Sequence, residues 1–150
     1  MARITPFLWF DDRLEEAANF YVGGFGDGNI TSTSRHGDKV MSMTFVLDGQ
    51  EFMALNGGPH FKFNEAVSFF VKCETQSEVD HYWDALVADG GAESQCGWLK
   101  DKFGLSWQIV PNALGRYLGD ADPVKAQRVG QAMMRMKKID IAALDAAYAG

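Results

Sequence analysis

FLWFDDRLEEAANFY (Phe7–Tyr21) and, 62 residues further on, FFVKCETQSEVDHYW (Phe69–Trp83) carry one pattern. Each has an apolar run, acidic residues, a Glu soon after, and a paired aromatic in an amphipathic stretch. An apolar run of β-formers closed by acidic residues reads as a strand leading into a helix. In the first copy Ile4–Phe10 is the strand, and Asp11 or Asp12 is placed to accept bonds from the first amides of a helix over Leu14–Val22. Leu14, Ala17, Ala18 and Tyr21 recur at three- and four-residue spacing, a core stripe, and Gly23, Gly24 and Gly26 close the helix. In the second copy Glu65–Cys73 alternates, with Val67, Phe69, Val71 and Cys73 on one face and Ala66, Ser68, Phe70 and Lys72 on the other. Thr75 stands three residues ahead of Glu78, as a capping box requires, and predicts a helix to about Ala88, stopped by Gly90-Gly91.

Strands follow each copy. Asn29–Arg35 and Lys39–Leu47 flank the turn His36-Gly37-Asp38, and Asp48-Gly49 leads into Glu51–Asn56. Ser94–Lys100 and Leu105–Pro111 form a closing hairpin. GQEFMALN (Gly49–Asn56) and GLSWQIVPN (Gly104–Asn112) match in turn glycine and apolar order. The first part therefore reads βαβββ, and the strand–helix–strand order restarts after residue 58, an internal repeat. One domain over 1–150 holds module 1 at about 1–57, module 2 at about 64–112 and a helical tail at about 113–150. In the tail Asp122-Pro123 opens a helix to about Met136 that includes Met133, Met134 and Met136, and Ile139–Tyr148 is a final short helix. The methionines offer an adaptable binding face or, more plainly, pack the tail on its own sheet or on a second subunit.

A net charge of −6 and a pI near 4.9 argue against nucleic acid, whose phosphates such a surface repels. No run approaches 18 apolar residues, so no membrane helix is expected, and MARITPFLWFDD lacks the features of a signal peptide. Two cysteines, Cys73 and Cys96, at no metal-motif spacing, read as small buried hydrophobes in a reducing cytoplasm. Gly23-Gly24-Phe25-Gly26-Asp27-Gly28 follows a helix and precedes a strand, the reverse of what a nucleotide or S-adenosylmethionine loop needs. His36, His60 and His81 fall on separate elements with no second ligand at metal spacing.

The tandem modules, the linker NGGPHFKFNEAVSFFV (Asn56–Val71) and the hairpin CGWLKDKFGLSWQIVP (Cys96–Pro111) resemble the PhnB-like family of the vicinal oxygen chelate superfamily. That superfamily groups glyoxalases, bleomycin-resistance proteins and dioxygenases. Members of the family carry the label 3-demethylubiquinone-9 3-methyltransferase, and the likeness extends to the tail. It implies an α+β fold of two βαβββ modules with curved mixed sheets forming clefts, usually in a homodimer.

In metal-dependent superfamily members His, Gln or Glu on the first and last strands of each module hold the ion. The corresponding places here fall near Pro6, Met53, Ser68 and Gln108. Proline and methionine are no ligands for a hard ion, and one glutamine does not hold it against water. No metal and no cofactor are therefore expected.

On the last strand Ser106, Gln108 and Val110 share a face opposite Leu105, Trp107 and Ile109. The bulky face suits the helix, which leaves Gln108 pointing into the cleft, to orient a ligand or to bond neighbouring side chains. Trp9 and Trp98 are candidate aromatic walls, and Ser68, Cys96, Lys100, His60 and Asn56 are candidate rim or floor residues. The leading expectation is a metal-independent protein binding an unidentified small molecule. The rivals are a lyase, isomerase or transferase acting on a small carbonyl or aromatic compound through Gln108 with Cys96 or His60, and a drug-sequestering protein.

Overall fold

The computed structural model describes residues 2–150, which divide into two units, one ending at Phe63 and one beginning at Asn64. Each unit builds a four-stranded mixed sheet with the same strand order. In the first, β1 (Phe7–Phe10), α1 (Leu14–Gly24), β2 (Asn29–His36), β3 (Lys39–Leu47) and β4 (Gln50–Asn56) give the order β1-β4-β3-β2. β1 runs parallel to β4, with Phe7 opposite Met53 and Phe10 opposite Asn56, and the other pairs are antiparallel. Asp48 and Gly49 both have positive φ (49° and 77°), the handedness of a two-residue turn that matches strand twist. α1 lays Leu14, Ala17, Ala18 and Tyr21 on Phe45, Phe52 and Ala54, all buried. The polar β2, NITSTSRH, stays at the exposed edge.

Two local expectations fail here. Neither Asp11 nor Asp12 caps α1, whose N-cap is Arg13 with no side-chain cap bond. The cap comes from 42 residues away, where Asn56 Oδ1 accepts the Leu14 N–H at 3.0 Å and Asn56 Nδ2 donates to the Val40 carbonyl at 3.0 Å. Parallel pairing puts Asn56 beside Phe10, within reach of the helix start. Nor do Gly23 and Gly24 stop α1: they are its last turn, and it ends where buried Phe25 turns extended.

The second unit repeats the plan with β5 (Ser68–Cys73), α2 (Gln76–Val87), β6 (Ala92–Glu93), β7 (Trp98–Lys100) and β8 (Ser106–Pro111), in the order β5-β8-β7-β6. Thr75 Oγ1 accepts the Glu78 N–H at 3.1 Å, the expected cap. Val79, Trp83 and Leu86 of α2 are buried, as are Cys73, Trp107 and Ile109 of the sheet. The β7–β8 loop hangs on Asp101, which is buried. Its carboxylate accepts the Phe103 and Leu105 N–H groups and the Trp107 indole N–H at 2.9–3.0 Å.

The predicted strand Ser94–Lys100 is cut to three residues because Cys96 and Gly97 take positive φ (58° and 85°). Their N–H groups donate to the Met136 and Lys137 carbonyls at 2.8 Å, so the tail turns the chain there. A Cβ on Gly97 would lie 3.0 Å from the Ile109 carbonyl oxygen, which fixes glycine at this crossing.

The tail departs most from expectation. β8 passes without a loop into an unforeseen helix, α3 (Asn112–Leu118). α4 (Pro123–Met133), capped by Asp122, ends before Met134 and Met136, so only Met133 lies within it, and α5 (Ile141–Ala149) comes last. Val110, Leu114, Val129, Ile139 and Leu144 form its buried core. Gln76 bolts it to α2, donating to the Ile139 carbonyl at 3.0 Å and accepting the Ile141 N–H at 2.8 Å.

Candidate functional site

Pleating decides which side chains of the second sheet are free to meet a ligand. Trp107 and Ile109 face α2, so Ser106, Gln108 and Val110 face away. Register sets two neighbouring rows on that open face. One is Phe70, Gln108 and Trp98 across β5, β8 and β7; the other is Ser68, Ser106 and Lys100. Gln108 Nε2 donates to Ser68 Oγ at 2.9 Å across the two rows. Only one end of the amide is used in this bond, and the Ser68 hydroxyl keeps its own proton to give.

The tail helices roof this face. A cavity of about 430 Å³ is bounded by Phe70, Lys72, Trp98, Gln108 and Val110 from the sheet side and by Leu114, Gly115, Leu118 and Met133 from α3 and α4. Cys96, Pro111 and Asn112 complete the wall. Lys72 is the one charged residue among those lining it. Sequence reasoning missed the roof because it has no motif. The directly continuing helix after Pro111 was the available signal.

The remaining candidates lie elsewhere. Lys100 pairs with Glu65 at a smaller pocket on the same face, and this contact holds the Glu65 carboxyl below its usual range. In the first unit the Trp9 ring lies on Gly57, where a Cβ would come within 2.2 Å of it, and its N–H donates to the Gly58 carbonyl at 2.9 Å. His60 and Phe61 meet Trp9 edge-on. Asn56 spends both ends of its amide on backbone and borders an acidic cavity with Asp11, Asp12, Glu15, Asp38 and Lys39.

Of the two cysteines, Cys73 is buried and Cys96 half-buried. Burial, helped by the charge of Glu78, pushes the Cys73 thiol up to about 11, so it stays protonated.

Among the described residues no group of three or more His, Cys, Asp or Glu could hold a metal ion. Within the first unit Pro6 meets Met53 through backbone, its carbonyl accepting the Met53 N–H at 2.9 Å. Within the second, Ser68 and Gln108 are bonded to each other. The glycine run Gly23–Gly28 sits at the C-terminal end of α1, where carbonyls rather than amides point outward, and so makes no cradle for an anionic cofactor. No described helix is long and apolar enough to cross a membrane.

Comparison with curated proteins gives no significant match. Among solved structures, a Bacillus cereus PhnB protein provisionally assigned as a 3-demethylubiquinone-9 3-methyltransferase is 36% identical, with TM-score 0.68, over 73% of this chain and 99% of its own. A Pseudomonas aeruginosa protein superposes with TM-score 0.65 at 20% identity, covering 74% and 98%. The fosfomycin resistance protein FosX of Listeria monocytogenes, complexed with Mn(II) and sulfate, shares the fold alone: 15% identity, TM-score 0.52, 71% and 89% covered. The family model described as 3-demethylubiquinone-9 3-methyltransferase matches residues 2–110, so the likeness read in the tail falls outside it. With that match and 36% identity to a PhnB protein, the chain belongs to the PhnB-like, 3-demethylubiquinone-9 3-methyltransferase family.

Proposed function

We propose that the protein binds a small, mainly apolar molecule in the cavity beside Gln108 and does so without a metal ion. One observation carries the reading: a half-buried amide with an uncommitted end stands in a cavity of about 430 Å³ walled by Phe70, Trp98, Val110, Leu114, Leu118 and Met133. Volumes of roughly 300–1,000 Å³, apolar walls and one or two placed polar groups are what small-molecule sites offer. Gln108 can give or take a hydrogen bond, so it orients a ligand carbonyl or hydroxyl, while the walls supply the burial. The donor chemistry of the first and last strands supports the metal-free part.

The test is a thermal-shift and calorimetric screen of neutral aromatic carbonyl compounds against the wild type and Gln108→Leu. A ligand at about 100 times its Kd stabilises the fold by about 2.7 kcal/mol. Binding that survives a chelator and falls about tenfold in Gln108→Leu is expected. Stoichiometric divalent metal whose removal abolishes binding overturns the reading.

Cys96 on the same wall favours an enzyme as second reading, with the thiol as nucleophile towards a small carbonyl compound. Native thiol labelling that is no faster than a model thiol removes that role. The cavity wall contains Lys72 and no carboxylate, so capture of a cationic drug gains no support. A homodimer in the cytoplasm completes the proposal, and light scattering at twice 16.6 kDa tests the dimer.

A further inference from the structure

Beside the cavity, on the same face of the second sheet, lies a smaller pocket of about 230 Å³. Trp98 lines both. Ser106, Lys100, Glu65, Glu93 and Ser94 border it. Ser106 is 1% exposed, and its hydroxyl has no hydrogen-bond partner among the described residues. Buried hydroxyls are nearly always paired, and an unpaired one marks a place where a polar group is missing. Register puts Ser106 directly between Ser68 and Lys100, so a hydroxyl donor and an ammonium donor stand side by side on adjacent strands.

A carboxylate already sits on that ammonium. Glu65, from the segment leading into β5, pairs with Lys100, yet its side chain is 61% exposed and that of Lys100 42%. Such half-exposed pairs are weak and exchange readily. The only other charge bordering the pocket is Glu93, whose carboxylate accepts the Trp83 indole N–H at 2.7 Å. It tells against a dianion such as phosphate and leaves a monoanion acceptable.

We propose that this pocket is a carboxylate subsite, held by Glu65 when no ligand is present, and that the ligand is an aryl or alkyl monocarboxylate. Its carboxylate displaces Glu65 from Lys100 and takes the Ser106 hydroxyl, while its apolar body passes Trp98 into the larger cavity. The inference rests on the cavity reading above and names its ligand class. Adjacent rows of one face are about 7 Å apart, a span that a phenylpropionate covers.

The experiment titrates 3-phenylpropionate and 3-phenylpropionamide calorimetrically into the wild type, Glu65→Gln and Lys100→Met, and reads the ratio of the two affinities. Glu65 is exposed, so Glu65→Gln leaves the fold intact while removing the internal competitor. It is expected to raise the acid-to-amide ratio about three- to fivefold. Lys100→Met is expected to lower it by roughly ten- to a hundredfold. A ratio that neither variant moves overturns the subsite, while amide binding to all three chains leaves the cavity reading standing. If neither compound binds any of the three chains, both fail together.

Discussion

The two sheets share a strand order and differ in what covers them. In the first, Phe7, Met53 and Thr44 form a row on the face away from α1, and Phe7 and Met53 are 53% and 40% exposed. In the second, the corresponding row is Phe70, Gln108 and Trp98, and it borders a cavity. The cause lies in the course of the chain beyond the last strand of each sheet. β4 runs out into Gly57-Gly58, whereas β8 continues directly into α3, and the tail helices fold over the face. One scaffold thus gains a cavity by where its chain continues. The roof lies outside the residues matched by the family model.

The largest expected difference between the units lies in their hairpins. The β3–β4 turn combines backbone handedness at Asp48-Gly49 with one carboxylate bond, the Asp48 N–H to Asp27 Oδ1 at 3.0 Å, whereas the β7–β8 loop hangs three N–H groups on the Asp101 carboxylate. Asp101→Ala removes the carboxylate that accepts the Trp107 indole N–H and the Phe103 and Leu105 amides, and urea unfolding is expected to show a loss of about 3 kcal/mol or more. Asp48→Gly is expected to stay within about 0.5 kcal/mol. Equal losses would break the contrast.

A second difference appears in alkali, at matching strand ends held by Phe10 and Cys73. Buried Cys73 binds its proton up to a pH of about 11, against 9.0 for an unperturbed thiol. Above pH 9 the unfolded chain therefore holds fewer protons than the folded one, and stability falls as pH rises between those values. The Cys73 contribution to this fall amounts to roughly 2–3 kcal/mol. The stability advantage of wild type over Cys73→Ala should shrink over that range, and an advantage independent of pH would sink the assignment. Tyr117 and Tyr148, raised chiefly by bonds to Asp145 and Asp120, act alike in both chains and cancel.

Helix caps give a smaller contrast. Asn56→Ala removes a cap and a second backbone bond and is expected to cost about 2 kcal/mol, while Thr75→Ala loses one cap and about 1 kcal/mol. The smallest effect sharpens the comparison of faces. Met53→Gln, on an exposed position, is expected to change stability by less than about 0.5 kcal/mol and to create no binding. Gln108→Met costs about 1 kcal/mol through the lost Ser68 bond and is expected to abolish ligand orientation.

The repeated strand–helix order, the Thr75 cap and the helix-facing role of Trp107 were legible because each is written in local spacing. So was the outward direction of Gln108, since pleating alternates side chains without regard to what lies beyond. The Asn56 cap, the positive φ of Cys96 and the cavity roof were not legible, because each joins residues distant in the chain. Asn56 looked like a linker residue and Cys96 like part of a strand until parallel pairing and the tail's carbonyls placed them. The Ser106 hydroxyl, without a partner among the described residues, is likewise invisible in a string where serine on a polar face is unremarkable.

Sequence alone determined periodicity, and with it the elements and the face each side chain takes, because those depend on steric rules acting over a few residues. Only the folded chain decided which open face became a cavity and which amide capped which helix. Those outcomes turn on contacts between distant segments, and no local pattern encodes them.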